Sequence, residues 1–137
     1  MTRIGAVKGD KLTVIYPYSG ASGLDKVPDM VMPDNGRLVI GAYGRFHEAK
    51  NFDTLISAFR LLGEDSPFEL RLGGFGPDQQ QLIQLAGMAR NIHFAGRIDD
   101  IAGFLGQCHV VAVPSRYEAY GQVANEAREG GRPILVS

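Results

Sequence analysis

The chain has 137 residues, a length typical of one globular domain, which usually has about 100–200 residues around a single core. Hydrophobic residues make up 45% and charged residues 21% of the sequence, so its composition excludes collagen-like, coiled-coil and intrinsically disordered chains. Lys and Arg number 14 against 15 for Asp and Glu, a formal net charge of -1 without blocks of like charge, which argues against a nucleic-acid partner.

The N-terminal part of the chain predicts a strand and a long connection. Leu12–Tyr16 is apolar and β-branched, and it ends at Pro17, as a strand does where it enters a turn. Residues 20–37 show little periodicity and contain several glycines and prolines, which is typical of a connecting segment. We therefore divide the single domain, 1–137, into a first strand with its connection (1–37) and a core (38–137).

Strands alternate with amphipathic helices in the core. Apolar residues spaced three and four apart behind Asn51, the predicted N-cap, indicate a helix, whereas continuous apolar runs indicate strands buried on both faces. In order, the sequence predicts a strand at Leu38–Tyr43, a helix at 51–62, a strand at Phe68–Leu72, a helix with Pro77 in its first turn, a strand at Ile92–Ala95, a short helix capped by Asp99 and Asp100, a strand at Val110–Val113, a helix at about Tyr120–Glu129 and a strand at Pro133–Val136. This alternation predicts an α/β fold, doubly wound, with a mainly parallel sheet.

The chain stops directly after its last predicted strand. An uncovered strand at Pro133–Val136 would leave an open apolar sheet edge, which favours pairing with another chain. We therefore expect a fragment truncated at its C-terminus, and a homodimer through the exposed sheet edge.

The sequence shows no sign of export or of an integral membrane segment. The first ten residues lack the apolar core of a signal peptide, and no run approaches the ~18 apolar residues of a membrane span. The single cysteine, Cys108, excludes an internal disulfide. We expect a cytoplasmic protein, with peripheral attachment of the full-length protein to a membrane left open.

The segment GRFHEAKN, which follows the strand Leu38–Tyr43, is a candidate anion site. In open α/β sheets, ligands bind outside the carboxyl ends of the strands. Arg45 and Lys50 lie here between a strand end and a helix N-terminus, where cations and backbone amides suit a phosphate group. Solvated loop charges, with Glu48 cancelling one of the cations, explain the same pattern.

Two further loops lie at the same predicted edge. We interpret GGFGP at 73–77 as a tight turn, because Gln79 stands where a dinucleotide fingerprint needs its third glycine, which also disfavours oxidoreduction with a nicotinamide cofactor. The segment AGRIDD adds Arg97, and its Asp99 and Asp100 are more often helix caps than metal ligands. The three histidines also lack a metal-ligand spacing, so we predict no metal.

Glu118 and Glu126 lie eight residues apart, or ~12 Å along a helix axis at ~1.5 Å per residue. This separation is too long for an acid/base dyad and suits two anchors along an extended ligand rich in hydroxyl groups. Stabilisation of the helix dipole by glutamates near its N-terminus explains them as well.

In this order, the four segments resemble the C-terminal donor-binding domain of retaining GT-B glycosyltransferases, family four, also called glycosyl transferases group 1. GRFHEAKN resembles the family's Gly-Arg loop with a lysine five residues later, GGFGP its glycine turn, FAGRID its base-binding loop and PSRYEAYGQVANEA its Glu-x7-Glu motif. The resemblance covers about 38–137 and implies the Rossmann-like half of a GT-B fold. Asn51 stands where the family more often has glycine.

The resemblance implies a role for each motif residue. Arg45 and Lys50 would neutralise the donor diphosphate and the charge that grows on it as the sugar leaves, and Glu118 would hold hydroxyl groups of the sugar. These three are the predicted catalytic residues, whereas Glu126 would bind the ribose hydroxyl groups. The other predicted donor-binding residues are Gly44, then Arg97 and Ile98 beside the nucleobase, and Ala119, Tyr120 and Gly121, whose amides would face the sugar and phosphates.

The resemblance also implies an activity for the full-length protein. It is that of the nucleotide-sugar-binding part of a hexosyltransferase, which moves a hexosyl group from a UDP-, GDP- or ADP-sugar to a glycan, lipid or small-molecule acceptor without a metal or cofactor. The N-terminal acceptor domain and the final helices of the family are missing here, so we expect the fragment alone to be inactive. The alternatives are a non-catalytic nucleotide or nucleotide-sugar binding module and, less favoured, a GT-B-fold epimerase.

Overall fold

The structure is a computed structural model that describes residues 13, 20–34 and 36–137. The predicted strand Leu12–Tyr16 lies, apart from Thr13, outside the described residues. A short 3-10 helix, Leu24–Lys26, precedes the sheet. The strands are β1 (Leu38–Arg45), β2 (Phe68–Phe75), β3 (Ile92–Gly96), β4 (Val110–Val113) and β5 (Ile134–Val136), and the α-helices are α1 (Phe52–Leu62), α2 (Gln79–Ala86), α3 (Ile101–Gly106) and α4 (Gln122–Glu129).

The strands form one sheet in the order β3-β2-β1-β4-β5, and all of its described pairings are parallel. The chain moves outward from β1 to β3 and then crosses back to β4 on the other side of β1. Because the winding direction reverses there, the loops after β1 and β4 meet at the switch point of the sheet. The doubly wound α/β prediction is confirmed.

Helices cover both faces of this sheet. Alternation along each strand sends neighbouring side chains to opposite faces, so Ala42 packs in one layer and Tyr43 in the other. The first layer buries the helix residues Phe52, Ile56, Phe59, Leu82 and Ala86, and the second buries Leu24, Phe104, Leu105 and Ala127. The amphipathic patterns of α1 and α2 therefore match the face that each helix buries.

The glycine turn is part of a strand. We predicted that the strand would end at Leu72, but β2 continues to Phe75 beside β1. A Cβ atom on Gly74 would overlap the carbonyl oxygen of Gly44, so only glycine lets the two strand ends approach this closely. The glycines at 73 and 74 therefore serve the close approach of two strands instead of the tight turn that we predicted.

Two helices begin later than predicted. Pro77 lies before α2, which begins at Gln79, and α4 begins at Gln122 instead of Tyr120. Gly121 precedes α4 with a φ of 74°, a left-handed conformation that ends the loop and that glycine adopts without strain.

Asn51 occupies the N-cap position of α1, but its side chain does not cap the helix. Its backbone is left-handed, with a φ of 57°, and its Oδ1 atom accepts hydrogen bonds from Thr54 Oγ1 and Arg116 Nε, each at 2.8 Å. Asparagine tolerates this conformation better than most residues, which accounts for asparagine in place of glycine. The predicted side-chain cap is real only in α3, where Asp100 Oδ1 accepts from Gly103 N at 2.9 Å.

The strand β5 lies at one edge of the sheet. It pairs with β4 on its inner side, and Leu135 and Val136 are 57% and 66% exposed. The expected apolar edge is therefore present, and the homodimer stays a prediction. Among the described residues, no helix has the length and apolar character needed to cross a membrane.

Candidate functional site

A cavity of about 420 Å³ opens at the carboxyl ends of β1 and β2; we name it the strand-end cavity. This is the edge of the sheet where doubly wound folds bind their ligands. The cavity brings together four predicted site residues, Gly44, Arg45, Arg97 and Ile98. Its other lining residues are Tyr43, Gly73, Gly74, Phe75, Gly76 and Ile101.

Two arginines give the strand-end cavity positive charge. Arg45 ends β1, and no acidic side chain of the described residues pairs with it. The Arg97 guanidinium lies 5.2 Å from the centroid of the Phe75 ring, and its Nε atom donates to Asp99 Oδ1 at 2.9 Å. Guanidinium groups at a cavity wall are suited to bidentate binding of a phosphate.

Glycine also shapes the floor of the cavity. Gly73 pairs with Tyr43 in the sheet, and a Cβ atom at Gly73 would lie 2.7 Å from Ile98 Cδ1. The absence of a side chain therefore lets Ile98 pack directly on the backbone of β2. The predicted base-binding loop is held against the sheet by this contact.

Lys50 and Glu118 form an ion pair across the switch point, with Lys50 Nζ 2.7 Å from Glu118 Oε2. Lys50 ends a 3-10 turn in the loop after β1, and Glu118 lies in the loop after β4. Ser115 Oγ donates to Glu118 Oε2 at 3.2 Å, and Gly121 N donates to Oε1 at 3.3 Å. The hydrogen bond from Lys50 holds the pKa of Glu118 below its ordinary value of 4.5, so this carboxylate is ionised at neutral pH.

Arg116 ties the same two loops together beside the ion pair. Its backbone N–H donates to Ala49 O at 2.9 Å, and its Nε atom donates to Asn51 Oδ1 at 2.8 Å. Its guanidinium also lies 3.4 Å from Asp53 Oδ2. The sequence did not single out Arg116, yet the contacts of Arg116 hold together the two loops that carry Lys50 and Glu118.

Glu126 is buried, and it is hydrogen-bonded to Tyr43, which lines the strand-end cavity. It is 3% exposed, and its Oε2 atom accepts from the Tyr43 hydroxyl at 2.7 Å. Gln122 Nε2 donates to its Oε1 atom at 3.3 Å. Burial, and next the hydrogen bond to Glu126, raise the pKa of Tyr43 far above its ordinary value, so the phenol stays protonated and donates.

Six predicted site residues do not line the strand-end cavity: Lys50, Glu118 and Glu126, described above, and the loop residues Ala119, Tyr120 and Gly121. Ala119 and Tyr120 are exposed in the loop before α4, and the amide of Gly121 already donates to Glu118. We predicted that these amides would lie at the helix start, but the first helical residue is Gln122. No side chain caps this helix end.

Tyr43, Phe75 and Ile101 line the cavity, and we did not predict them. Tyr43 had a local signal: it is a phenol in an aliphatic strand directly before Gly44, and a buried hydroxyl needs a partner. Phe75 and Ile101 carried no such signal, because their roles depend on which loops the fold brings together.

Cys108 and two histidines serve the fold. Burial raises the pKa of Cys108 to about 11, so its thiol is neutral. His47 Nδ1 accepts from Ala49 N at 3.2 Å, and His109 Nδ1 accepts from Val39 N at 2.9 Å. Within residues 13, 20–34 and 36–137, no group of three or more His, Cys, Asp or Glu side chains is arranged to hold a metal ion.

Comparison with known proteins gives this site a context. The sequence model of the family described as Glycosyl transferases group 1 matches residues 37–137. The lipopolysaccharide core biosynthesis glycosyltransferase LpsE of Rhizobium meliloti (strain 1021) is 37% identical over 101 residues, which cover 71% of this chain and 28% of LpsE.

Solved structures share the fold. HepE of Anabaena, in complex with UDP and glucose, superposes with a TM-score of 0.63 at 25% identity over 74% of this chain and 29% of HepE. The C-terminal domain of LpcC, a glycosyl transferase group 1 family protein from Francisella tularensis, gives a TM-score of 0.62 at 22% identity over 88% of this chain and 66% of that domain. The chain spans 34%, 25% and 36% of the length of three curated relatives that it matches.

Proposed function

Because this chain belongs to the glycosyl transferases group 1 family, we propose that it is the nucleotide-sugar-binding part of a retaining glycosyltransferase. The full-length enzyme moves a hexosyl group to a glycan, lipid or small-molecule acceptor. The observation that carries the proposal is the strand-end cavity with its two arginines, at the same sheet edge as the ion pair of Lys50 and Glu118. A sugar nucleotide needs cations for its diphosphate and carboxylates for its hydroxyl groups.

Arg45 and Lys50 stabilise the departing nucleoside diphosphate in this proposal. When the bond between the anomeric carbon and the phosphate oxygen breaks, negative charge grows on that oxygen. Cations already held at the strand ends lower the barrier, because they need no reorganisation when the charge appears. These side chains supply the positive charge, so we propose no metal or cofactor.

Lys50 shares its ammonium group between Glu118 and the diphosphate when the donor binds. An ammonium has three N–H donors, so it can keep its 2.7 Å contact with Glu118 and still donate to a phosphate oxygen. Glu118 then accepts from hydroxyl groups of the sugar. The ion pair thus marks the junction of sugar and diphosphate.

The remaining predicted residues bind the nucleoside and the phosphates. The nucleobase lies against Arg97, Ile98 and the ring of Phe75, and Glu126 serves the ribose. Gly44 and the loop 119–121 contribute backbone close to the phosphates and the sugar. HepE, which was crystallised with UDP and glucose, makes a UDP-sugar the first donor to test.

Calorimetric titration of UDP, GDP and ADP, and then of the matching sugar nucleotides, tests this proposal on the 137-residue chain. We expect saturable binding of one base and about a tenfold loss of affinity in Arg45→Ala, since a charge-assisted hydrogen bond disappears. Arg128→Ala, an exposed arginine in the last turn of α4, removes the same charge away from the cavity and should leave affinity unchanged. Failure of every nucleotide to bind the folded chain would contradict the proposal.

Transfer itself requires the longer protein, in which we propose that an N-terminal acceptor domain completes the cleft. The expected result is transfer with retention at the anomeric carbon, read from the proton coupling constant of the product. An inverted product would rule out the retaining mechanism, and donor binding without transfer or hydrolysis would identify a non-catalytic module.

A further inference from the structure

Tyr43 stands between the strand-end cavity and a buried carboxylate. It is 7% exposed, and it precedes Gly44 and Arg45 at the carboxyl end of the central strand. Its ring packs edge to face on Phe104, with centroids 5.2 Å apart and planes at 65°. Held by the strand at one end and by this ring contact at the other, the phenol has one well-defined direction.

The hydroxyl of Tyr43 fixes the position of Glu126. The two groups come from the central strand and from α4, and their oxygen atoms are 2.7 Å apart. Because Glu126 is 3% exposed, donors from the protein must replace the water that its carboxylate loses. Gln122 Nε2 is a second such donor, 3.3 Å from Glu126 Oε1.

We infer that Tyr43, which forms part of the cavity wall, is a positioning residue of the donor site: its hydroxyl orients the Glu126 carboxylate for recognition of the ribose hydroxyl groups. The inference rests on the proposed function, in which Glu126 serves the ribose. Tyr43 is the described residue that both lines the strand-end cavity and bonds to Glu126. Tyr43 therefore increases the preference of the site for ribonucleotides over deoxyribonucleotides.

A purely structural tyrosine would behave differently from a positioning residue. Loss of its hydroxyl would destabilise the chain and weaken all nucleotides equally. A positioning role weakens only those ligands whose ribose hydroxyl groups Glu126 binds. The ratio of ribonucleotide to 2′-deoxyribonucleotide affinity separates the two roles, because both ligands share the base and the diphosphate.

The test titrates UDP and 2′-deoxy-UDP into the wild-type chain, Tyr43→Phe, Glu126→Ala and the double variant; if GDP or ADP is the nucleotide bound, its own pair replaces them. We expect Tyr43→Phe to lower the ribo-to-deoxyribo ratio about tenfold and to weaken the deoxyribonucleotide, which keeps only its 3′ hydroxyl, much less than the ribonucleotide. In the Glu126→Ala background, the same substitution should leave the ratio unchanged, because the acceptor that Tyr43 orients is gone. Tyr117→Phe, at a tyrosine that is 80% exposed, is the matched control.

An unchanged ratio in Tyr43→Phe, or an effect of the same size in the Glu126→Ala background, overturns the role of Tyr43 and leaves the proposed function standing. A wild-type chain that binds neither nucleotide overturns the proposed function, and the inference with it. Thermal unfolding shows whether each variant is folded. If Tyr43→Phe does not fold, Tyr43→Met, which also lacks the hydroxyl but adapts its shape to the core, gives the same comparison.

Discussion

At the scale of single residues, the cations of the site differ in their surroundings before any ligand binds. Lys50 already has a carboxylate at 2.7 Å, whereas Arg45 has no acidic partner among the described residues. A phosphate that approaches Lys50 must compete with Glu118, and one that approaches Arg45 does not. Substitution of Glu118 should therefore change the affinity in opposite directions for a nucleoside diphosphate and for a sugar nucleotide.

Glu118→Gln should raise the affinity for a nucleoside diphosphate without a sugar. The substitution removes the charge that competes for Lys50, and a partly exposed ion pair contributes about 0.2–1 kcal/mol, so we expect up to about a fivefold gain. The additional affinity for the sugar nucleotide should disappear. Calorimetry with both ligands checks this, with Glu129→Gln at the far end of α4 as control; lower affinity for the diphosphate would contradict it.

The same ion pair should make stability depend on pH. The folded state lowers the pKa of Glu118, so its contribution to the free energy of unfolding is fully present above pH 4.5. It is lost as the pH falls through the lower pKa of the folded state. Urea unfolding of the wild type and Glu118→Gln should show a difference at pH 7 that shrinks as the pH falls below 4.5; a constant difference would disprove the assignment.

At the scale of elements, the close approach of β1 and β2 at their carboxyl ends builds the strand-end cavity. Glycine makes this approach possible, because side chains at Gly73 or Gly74 would enter space held by Ile98 or by the backbone of β1. The left-handed Asn51 serves the neighbouring loop by turning the chain into α1. Backbone conformation at these few positions therefore decides where the charged side chains lie.

Gly74→Ala should destabilise the chain by about 3 kcal/mol, because its Cβ atom overlaps the carbonyl oxygen of Gly44 and the strand ends must separate. Gly96→Ala is the control: it also has a positive φ, of 73°, but nothing lies within 4 Å of its Cβ position, so we expect about 1 kcal/mol. Urea unfolding measures both. Equal losses would mean that backbone conformation, and not overlap, sets the cost.

At the scale of the whole molecule, Arg132 joins the segment before the sheet to the core. It is 5% exposed, and its guanidinium donates to four carbonyl oxygens at 2.7–3.1 Å. The acceptors are Pro28, Leu105, Cys108 and Gly130. A buried cation of this kind is compensated only by the complete set of acceptors, and the planar fork of arginine reaches them together.

Arg132→Lys should lower the free energy of unfolding by about 2–4 kcal/mol, because an ammonium keeps the charge but cannot reach all four carbonyl groups. Arg128→Lys, an exposed exchange of the same kind in α4, should change it by less than about 0.5 kcal/mol. Urea unfolding of the two variants checks this. Similar values for both would show that the buried guanidinium contributes nothing specific.

The local pattern of the sequence determined the order of strands and helices and the residues of the charged motifs. The hydrophobic periods of 2 residues in strands and 3.6 residues in helices are properties of neighbouring residues, so they can be recognised without knowledge of the fold. Boundaries near glycine and proline were predicted less accurately, as the late start of α4 at Gln122 and the extension of β2 to Phe75 show. There, tertiary contacts outweigh local preference.

Only the tertiary structure decided which motif residues meet. Lys50 and Glu118 are 68 positions apart, and Tyr43 and Glu126 are 83 apart. Their contacts follow from the strand order, which places β4 beside β1 and brings two distant loops to one sheet edge. A strand order minimises the free energy of the whole core and is not encoded in any one segment. The sequence alone therefore identified the charged residues, whereas the packing of the sheet determined which of them are in contact.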